Sequence, residues 1–385
     1  MQEAGKHDIA ELQFNAFSSV FYKALSTGVL IKVVWKTQHE NGEFIGHVYS
    51  SNLKTQATIT RNVVVKAMGS SFPFKESKSN IWVNKTHSEV VTAIAKLANV
   101  KAVVTPTTLR YEQVTMAGHT YWEKIQELAK RSGYVARMIG AELHFHPMDV
   151  MLAKCSTSIP ILSFHGGEIP HGAIHESQTL DYFEANVNDL GEHSGTSRRD
   201  KQITGFDPIT GKSYELTSSP NKVGKNLRAT TKESFFTQHM PQVISANADA
   251  AKKIAEAQAQ NARWSISAEG AGQGDPRISP HTTVQISGTF DHTDGFWVIK
   301  KVEHNVLFDG RYTVEFTCLS DGLYSNLSAP FRSDTASVTP SRNEALELAT
   351  GLTTTTSATQ TVSTRPIIKP VNNILELTPS RWESV

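Results

Sequence analysis

Five of the fifteen histidines of this 385-residue chain lie between positions 144 and 175. Imidazole nitrogens and carboxylate oxygens are the usual zinc ligands, and His165, Glu168, His171 and His175 bring four such groups into one short stretch. His144 and His146, two apart, would share one face of a strand. The H-E-x-x-H pattern, which places two imidazoles on one helix face, does not occur. Hydrogen-bonded histidines at sheet rims or subunit contacts are the favoured alternative, and the expectation is no resident metal. A glycan hydrolase would need a carboxylate pair with one raised pKa, or a Cys/His pair. Glu168 beside His165, and Cys155 with any nearby histidine, are the candidates. Neither sits in a catalytic sequence context, and a buried structural cysteine is the commoner state. No enzymatic activity and no cofactor are expected.

The glycines make no phosphate loop. Gly270, Gly272 and Gly274 alternate in the polar stretch Glu269–Pro276 without a following Gly-Lys-Ser/Thr, so they are expected in a loop between a helix and a barrel. Trp264 and Trp297 are expected as packing anchors.

Bulk composition narrows the classes further. With 38 basic and 37 acidic side chains the formal charge is +1, whereas gripping nucleic acid needs a clear basic surplus. Two cysteines far apart, Cys155 and Cys318, give neither a disulfide framework nor a metal spacing. No apolar run is long enough to span a bilayer, and the charged N-terminus lacks an apolar signal-peptide segment. The length predicts two or three domains.

Strands are predicted in residues 27–82, where Val29, Ile31, Val33 and Trp35 share a face. The dipeptide Asn41-Gly42 carries a type I′ hairpin signature. Two capping boxes, Thr86/Glu89 and Thr120/Glu123, open helices, the second closing at Gly133. Tyr134–Met138 and Glu142–Pro147 are expected to pair. Ile159–His165 and Thr179–Glu184 are expected strands. Residues 197–232 hold eight basic against three acidic side chains, a solvated loop in its plainest interpretation or a face for DNA or an acidic subunit. An Ala-rich helix from Ser245 precedes strands at Thr283, Phe296 and Arg311, the last with Tyr312, Val314, Phe316 and Cys318 inward. Beyond Asn326 the chain becomes rich in Ser, Thr and Ala, a composition too polar to order itself. A third capping box, Ser341/Glu344, interrupts it, and apolar residues return at Ile367, Ile368, Ile374, Leu375 and Trp382.

The helix from Ser245, followed by Asp275-Pro-Arg-Ile-Ser-Pro, Gly295-Phe-Trp-Val-Ile-Lys-Lys-Val-Glu-His and Tyr312-Thr-Val-Glu-Phe, resembles the C-terminal barrel of phage tail baseplate hub proteins. That is the late control protein D family, related in outline to the hub part of type VI secretion spikes. Gly28, Phe44, Gly46, Val48 and Gly69 resemble its first barrel. Trp122, Ile125, Leu128, Ala129, Arg131, Gly133 and Tyr134 resemble its middle domain, and Ile203–Lys212 its strand and turn.

The resemblance implies a mainly β, ring-forming fold with two tail-tube-like β-barrels and a peripheral α/β domain. Residues 1–82 would form the first barrel, 83–158 the α/β domain and 159–326 the second barrel. The second barrel would carry a basic loop insertion at about 186–244 and the Ala-rich helix at about 245–262. Residues 327–385 would be a tail ending in a docking peptide built from Ile367, Ile368, Ile374, Leu375 and Trp382. Three copies would close into a homotrimeric ring that adapts the sixfold tail tube to the threefold central spike and leaves a channel for DNA. Implied partners are the spike, tail tube, tape-measure and baseplate wedge proteins, with no membrane insertion and DNA only in passage. The implied location is the virion, after assembly in the host cytoplasm. A hexameric distal-tail or tube-extension protein and a tail-associated metallo-hydrolase are the alternatives.

Overall fold

A computed structural model describes residues 1–15, 23–37, 41–55, 61–156, 158–164, 177–186, 200–207, 211–219, 237–239, 248–289, 293–307, 309–321 and 375–377. The first strand, β1 (Gln2–Glu3), leaves its sequence neighbours and pairs with a strand three hundred residues away. The next four, β2 (Ile9–Asn15), β3 (Leu30–Lys36), β4 (Asn41–Thr55) and β5 (Arg61–Met68), form a curved half-barrel in the order β2-β5-β4-β3. Alternation puts Ile31, Val48, Val63, Val65 and Ala67 inside with Leu25. A register shift between Val48 and Ser50 bends the long β4 around that core.

The predicted Asn41-Gly42 turn is corrected. Both residues belong to β4, opposite Lys36 and Trp35. A side chain at Gly42 would fall 1.9 Å from the Trp35 ring, so this glycine admits an indole across the strand.

The middle of the chain mixes helices and short strands. It runs β6 (Asn80–Thr86), α1 (His87–Leu97), β7 (Lys101–Val104), β8 (Arg110–Met116), α2 (Tyr121–Ser132), β9 (Tyr134–Ile139), β10 (Glu142–Pro147) and α3 (Met148–Cys155). Both predicted capping boxes are formed, each threonine accepting from the backbone of a glutamate that reaches back to the cap. Gly133 ends α2 in the left-handed region at φ 67°. β9 and β10 pair antiparallel as expected, with β7 parallel on the far side of β10. Val91, Ile94, Trp122, Ile125, Leu128 and Phe145 knit helices and sheet into one core.

The rest of the chain contributes β11 (Ile161–Phe164), β12 (Ser177–Asn186), β13 (Asp200–Asp207), β14 (Lys212–Ser218), β15 (Thr237–His239), α4 (Ala248–Ala262), β16 (Ile266–Gln273), β17 (Thr283–Ser287), β18 (Gly295–Val306) and β19 (Tyr312–Ser320). Six of these strands close a barrel in the order β18-β17-β11-β12-β16-β19, the ring completed by β18 against β19. Closure removes free edges. Val284, Ile286, Trp297, Val302, Val314, Phe316 and Cys318 fill the interior.

The loop assigned to Gly270, Gly272 and Gly274 is likewise corrected, since the first two lie within β16. A side chain at Gly270 would meet Phe316 at 2.7 Å, at Gly272 the Thr179 carbonyl at 2.3 Å, and at Gly274 the Tyr312 ring at 2.2 Å. These glycines make room for neighbouring strands and rings.

The hairpin β13–β14 lies outside the barrel and packs Ile203, Tyr214 and Leu216 on Ala251 and Ala255 of α4. A last strand, β20 (Leu375–Leu377), joins the half-barrel beside β3. The mainly β fold with an α/β middle portion therefore holds, with one barrel closed and the other a half-barrel.

Candidate functional site

The proposed ligand set His165, Glu168, His171 and His175 lies outside the described residues, as do Ile367, Ile368, Ile374, Trp382 and the capping box at Ser341. Among the described residues no group of three His, Cys, Asp or Glu side chains is placed to hold a metal. His144 and His146 do share a face of β10, but they face each other: Nδ1 of His144 lies 3.2 Å from Nε2 of His146. The second ring nitrogen of His146 is 2.8 Å from the Thr105 hydroxyl. Burial pushes His146 down to about 4, so it is a neutral packing group near neutral pH.

Cys155 does not resemble a nucleophile. Burial pushes its thiol upward, against the lowering influence of Arg137, whose guanidinium is 3.7 Å from the sulfur. Reactive thiols show the opposite shift. An open depression beside α2 is lined by Gly5, His119, Trp122, Glu123 and Glu127. Its carboxylates are already in use. Glu123 is held below the usual carboxylate range by the Thr120 backbone N–H, and Glu127 pairs with Lys124 and Arg131.

Structural side chains instead gather where the units meet. Trp122 of α2 donates its indole N–H to the Gly5 carbonyl at 3.0 Å and stacks on His7. His7 in turn bonds Ser71 at 2.8 Å. Trp35 of the half-barrel touches the His304 and Tyr312 rings of the closed barrel, and those two are hydrogen-bonded at 2.8 Å. Arg137 of β9 donates to the Pro280 carbonyl at the barrel, and Ser156 accepts from the Thr283 amide at 2.9 Å.

The Ala-rich helix α4 has the same role. A side chain at Gly133 would lie 2.9 Å from Cα of Ala257, so α2 and α4 meet backbone to backbone. At its end, buried Arg263 pairs with fully buried Asp321 at 2.9 Å. These links join half-barrel, α/β portion and barrel through residues whose partners lie far away in sequence. Of these residues, Trp35, Trp122, Gly133 and Tyr312 stood out in the sequence, but none for a contact between units.

Other surfaces carry apolar groups outward. The two-stranded ribbon β6–β8 has no further strand partner among the described residues. It exposes Ile81 (64%) and Val83 (68%) side by side, opposite Thr115 and Gln113. Phe206, 59% exposed, projects from the β13–β14 hairpin. The half-barrel also keeps an edge: past Ile9, which exchanges backbone bonds with Met1, β2 has no second strand partner among the described residues. An open strand edge can accept another strand, and adjacent exposed apolar side chains can be covered by another chain.

No protein-family model matches the chain, and no curated protein matches it in sequence. Solved structures do match. The 43 kDa tail protein of prophage MuSo2 from Shewanella oneidensis superposes with a TM-score of 0.52 at 12% identity, over 84% of this chain and 94% of that one. A tail protein from Neisseria meningitidis MC58 gives 0.55 at 9% identity, over 83% and 89%. An E. coli component of the type VI secretion system, itself structurally similar to T4 bacteriophage tail proteins, gives 0.50 at 9% identity, over 84% and 74%. The chain thus shares its fold with phage tail proteins and with a type VI secretion component.

Proposed function

We propose that this protein is the structural hub of a phage tail baseplate. Three copies form a ring that adapts the sixfold tail tube to the threefold central spike and leaves a channel for DNA ejection. The observation that carries the proposal is a closed barrel and a half-barrel held in one chain by specific contacts. Two barrel units per copy give six in a trimer, so one ring can meet sixfold and threefold neighbours.

The mechanism is geometric. Barrel edges and exposed apolar ribbons are satisfied by neighbouring copies, and the buried junction residues keep the units from turning against each other. A net charge of +1 suits a wall that DNA slides past better than one that holds it. No helix among the described residues is long and apolar enough to cross a membrane. Partners are the spike, tail tube, tape-measure and wedge proteins, the location is the virion, and the role is non-enzymatic.

The mass of the full chain by light scattering, alone and with tube and spike proteins, tests this. A trimer, or a monomer that becomes trimeric with the spike, supports the hub. A stable hexamer points to a tube or distal-tail protein. A persistent monomer that binds no tail protein overturns the adaptor role.

A further inference from the structure

β3 reads Leu-Ile-Lys-Val-Val-Trp-Lys and pairs antiparallel with β4 on one side only. Its other side would be an apolar edge of the kind that templates pairing with another chain. Three residues from the far end of the sequence occupy it. Leu375, Glu376 and Leu377 run parallel to Ile31, Lys32 and Val33 in that register.

Two features make the pairing transferable. It engages three residues of a seven-residue strand, so few backbone bonds must break for an exchange. It is also delivered from a distance: 53 residues separate Asp321 from Leu375. At about 3.3 Å per extended residue, a span of that length reaches a neighbour's edge as well as the chain's own. Exchange of an identical element links copies without any new surface.

We infer that the β3 edge is a strand-acceptor site that joins copies of this protein, each copy's Leu375–Leu377 strand completing the half-barrel of a second copy in the assembled ring. The pairing within one chain is then the closed form of the free protein, and the edge stays covered until a neighbour arrives. The inference rests on the hub proposal for the existence of a ring, but the strand exchange can fail while the ring stands.

The test is a Lys32→Cys/Glu376→Cys full-length chain, oxidised as free protein and as assembled particles, with each single variant as control. Free chain should cross-link within itself, and assembled particles should give covalent dimers and trimers on a non-reducing gel. Particles of the expected mass whose cross-links stay within single chains would overturn the exchange and leave the hub proposal intact. Failure to form any particle would overturn both. Absence of cross-linking in either state would remove the strand pairing itself. A Glu376→Pro chain, which lacks one backbone N–H, should retain its circular dichroism spectrum and need roughly tenfold more protein to assemble; unchanged assembly would count against the exchange.

Discussion

Gly133 concentrates two demands on one residue: a left-handed backbone at the end of α2 and contact with the α4 backbone. Gly140 has a similar φ of 60° but open space around it. Gly140→Ala should therefore cost only the backbone term, about 1–2 kcal/mol, and Gly133→Ala distinctly more, read from urea midpoints. Equal losses would mean that the helix contact contributes nothing. The buried histidines set a pH dependence. Burial is the first cause that pushes His87 to about 4, His281 to about 3 and His304 to about 4. Each lies below its unfolded value of about 6.5, so the unfolded chain binds more protons as the pH falls below that value. Their stabilisation is complete above about pH 6.5 and is lost as pH falls through 6.5 toward 4. The urea midpoint should fall between pH 7.5 and pH 5, and His87→Asn should flatten that slope.

At the scale of elements, α4 depends on its ends as well as its alanines. Arg263, just past the helix, and Asp321, just past β19, are both buried and paired. Arg263→Met should cost about 3–5 kcal/mol, because it takes away the cation beside a buried carboxylate. Adding Asp321→Leu should recover part of the loss, and thermal unfolding of the three chains checks it. The capping boxes at Thr86 and Thr120 and the Gly133 terminus were legible because their partners lie within one helical turn. So was the alternation of β19. What misled were glycines whose reason lies elsewhere in the fold. Asn41-Gly42 imitates a turn, yet Gly42 is there for Trp35; Gly270, Gly272 and Gly274 imitate a loop, yet they admit Phe316, the Thr179 carbonyl and Tyr312. The placement of β1 on β18 and of β20 on β3 joins distant segments, and no local pattern announces such pairings. The candidate metal residues His165, Glu168, His171 and His175 lie outside the described residues, and the contacts that His7, Trp35 and Arg137 make across the junction have no local sequence pattern.

At the scale of the whole molecule, rigid internal junctions contrast with apolar surfaces turned outward. Ile81 and Val83 stand on a ribbon whose inner face already has its core. Ile81→Asp with Val83→Asp should leave the unfolding of the isolated chain within about 1 kcal/mol, while lowering association with itself or with tail proteins at least tenfold by sedimentation. Unchanged association would show that the ribbon faces solvent in the particle. The central claim concerns symmetry, and electron microscopy of the assembled particle tests it most directly. Class averages should show a threefold ring of six barrel-sized densities around an open lumen; a sixfold ring of single copies, or a particle with no lumen, would contradict the account.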